Sequence, residues 1–159
     1  MRNPFDPDRD PERHHIWQRL IFADSQAFAA GDWEMIADDF DAEHFEGIRC
    51  GLSSNPDDWH IAFATLEAYR DQWLAASREF RAKRFVGLTP LDALLRRCRI
   101  DRIDIAGDRA IAHKRFSGAV PLVDGSALSG SRQTLYRLHR RPNGWKIVGF
   151  LGQLPLEEP

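Results

Sequence analysis

A chain of 159 residues, 43% hydrophobic and 29% charged, suits one domain that hides about 70% of its unfolded surface, so its core requires neither disulfides nor a metal. Lys and Arg number 22 against 24 Asp and Glu, a formal net charge of -2, which excludes the strongly basic footprint of a dedicated nucleic-acid binder. No apolar run approaches the roughly 20 residues that span a bilayer, so a membrane protein of that kind is excluded as well.

The opening MRNPFDPDRDPE places Pro4, Pro7 and Pro11 among charges and has no apolar signal-peptide stretch; it predicts a flexible arm over residues 1-11 and a cytoplasmic protein. A helix is expected from about Asp10 to Ala30, because Ile16, Trp17, Leu20, Ile21, Ala27 and Phe28 share one arc of a helical wheel. Gly31 stops it, and Asp32 caps a shorter helix, WEMIADDF. AEHFEGIRCG and WHIAFA read as short strands around the turn-rich LSSNPDD. Thr65 opens a long helix reaching about Arg84, with Leu66, Tyr69, Trp73, Ala76 and Phe80 on one stripe and Glu67, Asp71 and Arg78 facing water. Thr89 and Pro90 begin a brief helical segment, PLDALL.

Beyond it the period changes from helical to alternating. CRIDRIDIA, RAIAHKRFSG, SRQTLYRLHRR and WKIVGFLGQL are strand candidates. Gly107-Asp108 joins the first pair, and Pro142-Asn143-Gly144 joins the last with a strong hairpin signal. VPLVDGSALSG makes an irregular connection between the middle two. Helices first and antiparallel strands after argue α+β, with the helices on one face of a bent sheet. The tail PLEEP, residues 155-159, resembles the arm, which leaves 12-154 as the domain. Cys50 and Cys98 lack CxxC spacing and are expected as reduced, buried thiols.

Several local strings, in this order, resemble the nuclear transport factor 2-like superfamily and its SnoaL-like branch: AFAAGDWEMIADDF, LEAYRDQWL, IAGDRAIAHKRFSG and RQTLYRLHRRPNGWKIVGFLG. The Gly-Asp-Trp between the first two helices and the Asn-Gly-Trp-Lys-Ile opening of the last strand are the most diagnostic. The resemblance covers about Glu12 to Leu154. It implies a cone-shaped, cystatin-like fold in which a curved antiparallel sheet and the first helix enclose a pocket, and it implies frequent homodimers. The superfamily spans isomerases, cyclases, dehydratases, epoxide hydrolases and binding proteins, so activity does not follow from fold.

Among candidate site residues Asp24 stands first, because it interrupts the apolar arc of the first helix; a desolvated carboxylate there is poised for proton transfer, or else is paired for structural reasons. His113 is its expected catalytic partner if the strand phase turns it inward. Ile111, His113 and Arg115 share one face and Ala112, Lys114 and Phe116 the other, and both faces hold apolar residues, so the phase is open. Tyr69, Trp73, Arg115, Gln133 and Tyr136 are candidate ligand contacts, with Gln133 and Tyr136 in opposite phase. The histidines show neither HxH nor HxxxH spacing, and GxGxxG, GxxxxGK[ST] and GxSxG are absent, so no metal and no cofactor are expected. Arg99/Asp101 and Arg102/Asp104 read as exposed alternating charges.

The expected function is a pocket for a small, largely apolar organic molecule, with cofactor-independent acid/base chemistry of the isomerase, dehydratase, cyclase or hydrolase type. The alternatives are a noncatalytic dimeric binding or interaction module, using the sheet as its homodimer face, and an accessory domain of a larger enzyme. Neither nucleic acid nor membrane is an expected partner.

Overall fold

Asp10 accepts from the Arg13 N–H and opens helix α1 (Pro11–Trp17), with Pro11 where no backbone donor is needed. The helix continues without a break through a π turn (Gln18–Ala23) into α2 (Asp24–Ala30). It ends at Gly31, whose φ of 73° places its N–H on the Ala27 and Phe28 carbonyls. A Cβ at that position would also strike the Arg81 guanidinium. These elements belong to a computed structural model that describes residues 1–156; of the expected tail 155-159, residues 157–159 lie outside the described part.

WEMIADDF forms two 3-10 turns, Trp33–Met35 and Ala37–Asp39, instead of one helix. Trp33 and Ile36 are both buried, and residues three apart eclipse in a 3-10 turn, so this geometry sinks both into the core. Strands β1 (Glu46–Arg49) and β2 (His60–Phe63) follow. Thr65 then caps α3 (Leu66–Arg81), and a reciprocal Thr89–Asp92 capping box starts α4 (Pro90–Arg97).

Strands β3 (Cys98–Ala106), β4 (Arg109–Phe116), β7 (Arg132–Arg141) and β8 (Gly144–Leu154) form the large meander. The VPLVDGSALSG connection folds into a small ribbon of β5 (Val120–Pro121) and β6 (Ala127–Leu128). The six-stranded sheet has the order β2-β1-β8-β7-β4-β3. It is antiparallel except where β1 runs parallel to β8. Register shifts in β1/β2, β3/β4 and twice in β7/β8 bend it, since a bulge adds a residue to one strand and increases the local twist. The architecture agrees with the expected α+β layout.

The core lies on the concave face. Ile16, Trp17, Leu20 and Ile21 pack against Ile100, Ala112 and other inward residues of the sheet. On the other side of the helix, Ala27 joins Trp33, Ile36 and Trp73, and Ser77 Oγ on α3 donates to the Phe28 carbonyl at 2.7 Å. Residues of the expected arm touch this body: Phe5 packs on the core, and Asn3 Nδ2 donates to the His14 carbonyl. No helix among the described residues is long and apolar enough to cross a membrane.

Candidate functional site

Between α2, α3 and the concave sheet face lies a cavity of about 520 Å³, within the range that holds small organic molecules. Phe28, Phe63, Trp73, Phe80, Phe116 and Phe150 give it an aromatic wall, and Asp24, Lys114, Tyr69, Tyr136 and Thr134 supply polar groups. An apolar lining with a few convergent polar atoms is the usual composition of a small-molecule site.

Strand β4 settles which side chains enter. Ala110, Ala112 and Lys114 are buried, and the intervening positions are exposed or half-buried. Lys114 therefore points inward from β4, with only 2% of its side chain exposed. Its Nζ donates to Asp24 Oδ2 at 2.6 Å and to the Leu20 carbonyl at 2.7 Å.

The π turn explains why that carbonyl is available. In an α-helix the Leu20 carbonyl would accept from the Asp24 N–H, but here that N–H bonds to the Arg19 and Ile21 carbonyls. Lys114 Nζ supplies a donor to that carbonyl in the dry interior. One lysine thus serves both the π turn and the Asp24 carboxylate. Burial works against the Lys114 ammonium, but the charge and hydrogen bond of Asp24 outweigh it and raise the pKa. Lys114 is an ammonium at neutral pH and not a nucleophilic amine.

Tyr69 and Tyr136 approach the same carboxylate from α3 and β7. Both line the main cavity, and both share a small adjoining crevice with Asp24. Tyr69 is held by rings on several sides, including Phe150 at 5.0 Å, Phe45 at 5.3 Å and Phe63 at 5.4 Å between centroids. Burial first, then mutual repulsion with Tyr136 and the Asp24 charge, pushes the Tyr69 phenol well above its ordinary value. Burial and Asp24 push Tyr136 upward too. Both are neutral hydrogen-bond donors. Burial also raises the Cys98 thiol on the cavity wall, which keeps it protonated and unreactive.

Asp24, Tyr69, Trp73 and Tyr136 from the expected set are therefore gathered around one cavity. His113, Arg115 and Gln133 are not. His113 lies on the opposite face of β4, where its Nε2 meets Asp104 Oδ2 at 2.9 Å, and it shares no cavity with Asp24. The expected Asp24–His113 pairing is thus corrected to Asp24–Lys114, because the alternation that turns Lys114 inward turns His113 and Arg115 outward. Gln133 falls in the outward phase of β7 and donates to the Pro155 carbonyl. The Arg99–Asp101 and Arg102–Asp104 pairs are exposed, as their alternation implies. No group of three or more His, Cys, Asp and Glu that could hold a metal occurs among the described residues.

No protein-family model matches the chain, and no curated protein matches it. Solved structures do. A domain of unknown function with a cystatin-like fold from Nostoc punctiforme aligns with a TM-score of 0.61 at 14% identity, over 92% of this chain and 79% of its own. A candidate dehydratase of the nuclear transport factor 2-like family from Streptomyces avermitilis aligns at 0.59 and 14% identity, over 96% of this chain and 100% of its own. A nuclear transport factor 2-like superfamily protein from Salmonella enterica aligns at 0.56 and 14%, over 91% and 92%. The fold is the nuclear transport factor 2-like, cystatin-like one. At such identities the likeness concerns architecture and leaves the chemistry to the site.

Proposed function

We propose that this nuclear transport factor 2-like chain is a SnoaL-like pocket protein, which takes up a small, largely apolar organic molecule and moves a proton on it without a cofactor. The supporting observation is the Asp24–Lys114 pair at the base of an aromatic cavity, beside two neutral phenols. Lys114 holds Asp24 through Oδ2, and a quarter of the Asp24 side chain remains exposed. Asp24 is then a carboxylate positioned to accept a proton from a carbon beside a carbonyl. Tyr136, which accepts a hydrogen bond from Tyr69, donates its own to the oxygen on which negative charge develops. The proton returns from Asp24 to another position of the same molecule, so an isomerisation balances without an added reactant; if Asp24 instead delivers it to a hydroxyl on the carbon next to the deprotonated one, that group leaves as water and a double bond forms, which is the dehydratase variant.

Deuterium exchange tests this without knowledge of the product. A panel of apolar ketones and keto acids is incubated in heavy water, and exchange beside the carbonyl is followed by NMR. Exchange catalysed by the natural chain and lost in Asp24→Asn is expected; equal exchange by both proteins removes Asp24 from the mechanism.

The outer sheet face favours a second reading, a homodimer that buries it. Ile111 is 42% exposed in the middle of β4, and on neighbouring β7 the Arg137 Nε is buried without a hydrogen-bond partner among the described residues. An apolar residue beside an unsatisfied buried donor is expected where another surface completes the packing. Sedimentation equilibrium of the chain and of Ile111→Asp checks it: a dimer that the substitution dissociates supports the reading, and a monomer throughout rejects it.

A further inference from the structure

Four cationic side chains besides Lys114 line the cavity, namely Arg49, Lys83, Arg97 and Arg132, against one further anion, Glu79. This excess sits in a chain whose formal net charge is -2. Asp24 does not neutralise it, because Asp24 and Lys114 satisfy each other. None of the four cations forms an ion pair among the described residues.

Two of the four are held in place on the wall of the same cavity. Arg97, the last residue of α4, is only 7% exposed. It is anchored by donating from Nε to the Gly118 carbonyl at 3.2 Å and from Nη2 to the Gly130 carbonyl. Arg132 opens β7 opposite Phe116 of β4, and its guanidinium lies over that ring at 4.5 Å. Stacking restrains the plane of Arg132 and leaves its N–H edge free. The two guanidiniums repel: the Arg97 pKa is lowered by burial and by the Arg132 charge. Like charges held together on an apolar wall, with no carboxylate from the described chain between them, are complementary to an anion.

We infer that the molecule bound in this cavity is an organic carboxylate, its apolar body against the aromatic wall and its carboxylate on Arg132 beside Arg97. This rests on the pocket reading above and names the class of its ligand. A guanidinium fork matches the two oxygens of a carboxylate. A phosphate site is built more often on backbone N–H groups at a helix N-terminus or in a glycine-rich loop, and the N-terminal residues of α3 and α4, Leu66 and Pro90, are absent from this wall.

Isosteric probes separate the two readings. Binding of 2-naphthoate, the neutral 2-naphthamide and 2-naphthyl phosphate is measured by calorimetry, with Ala76→Phe as a variant that fills the cavity. One charge-assisted contact on a partly buried arginine corresponds to a preference of about tenfold. Naphthoate is therefore expected to bind about tenfold more tightly than naphthamide. Arg132→Gln collapses that preference toward unity, and Arg132→Lys retains part of it. Equal affinity for acid and amide, both abolished by Ala76→Phe, overturns the carboxylate and leaves the pocket standing. Stronger binding of the phosphate than of naphthoate overturns the choice of head group. Binding of all three probes unaffected by Ala76→Phe overturns the pocket and the inference with it.

Discussion

Lys114 reaches across from β4 to bind Asp24 at 2.6 Å while donating to the Leu20 carbonyl of the π turn, 2.7 Å away. The irregular helix, the buried cation and the carboxylate form one arrangement. Breaking any one of them exposes the other two to uncompensated desolvation.

Lys114→Met should accordingly be among the most destabilising single changes in the chain. It leaves a partly buried carboxylate and an orphaned carbonyl, which costs about 3 kcal/mol once the partial exposure of Asp24 is discounted. Replacing both partners, Asp24→Leu with Lys114→Met, should recover much of that loss, because a buried ion pair is often matched by apolar side chains of similar volume. Urea denaturation of the single and double variants checks it. A single variant as stable as the natural chain would show that the pair is solvated.

Alkaline pH provides a readout of the same region. Tyr69 and Tyr136 are the only two tyrosines, and both phenols are pushed above their ordinary value of 10.0. Their contribution is fully present below the unfolded value and is lost as pH rises from there toward the folded value; Lys114, raised from 10.5, acts in the same sense. Tyrosinate absorbance should therefore stay absent through pH 10.0 and appear cooperatively with unfolding at higher pH. A gradual rise centred at the ordinary value, in protein that remains folded, would contradict the burial of the phenols.

Acid pH acts on a different contact. Asp41 precedes β1 and receives Arg141 Nη2 at 2.6 Å and His44 Nδ1 at 2.9 Å, so it ties the β7–β8 hairpin to the chain entering the sheet edge. Burial works to raise its pKa, but His44 and Arg141 together overcome it and the net shift is downward. Stability from this group is present above the ordinary value of 3.8 and is lost as pH falls through the lower folded value. The unfolding free energy of the natural chain, from urea denaturation, should decline over that interval by about 1 kcal/mol more than that of Asp41→Asn. Parallel pH curves for the two proteins would show that the contact contributes nothing.

Which parts of this were legible in the sequence follows from how local the signals are. The Thr89-Pro90 cap, the Asn143-Gly144 turn and the Gly31 stop are decided by neighbouring atoms, and the structure places each as expected. Asp24 was legible because a charge inside an apolar arc is anomalous wherever the chain goes. Its partner was not. On β4 the exposed Ile111 mimics a core position, whereas Ala110 and Ala112, which are buried, carry weak hydrophobic signals; the alternation alone could not choose between His113 and Lys114. A lysine flanked on its own face by Ala112 and Phe116 was the available clue. The Leu20 carbonyl that rewards burying it arises from the π turn, which a regular helical wheel does not contain. Arg97 and Arg132 were missed because they stand at element ends, and their proximity exists only after α4, β4 and β7 have packed.

Gly149 tests how the sheet edge supports the cavity. The β7/β8 register shifts between Arg137 and Leu138, so Val148 is the extra residue and Gly149 follows it opposite Arg137 and beside Glu46 of β1. A Cβ on Gly149 would run into the Glu46 carbonyl and the Arg137 guanidinium, and its φ of 154° is a conformation that L side chains rarely adopt. The guanidinium could move, but the carbonyl belongs to the parallel β1/β8 ladder, so Gly149→Ala must push β1 away at a cost of about 1–3 kcal/mol. Because β1 and β2 supply Ile48, Arg49 and Phe63 to the cavity wall, this damage should be felt at the site. Hydrogen exchange is the direct measurement. In Gly149→Ala the β1 amides and the Cys50 N–H, which bonds to the Gly152 carbonyl at 2.8 Å, should lose protection, while the β3–β4 hairpin keeps its own. Uniform loss across the sheet would mean that β1 is part of one cooperative unit with β3 and β4, and that the edge does not yield separately.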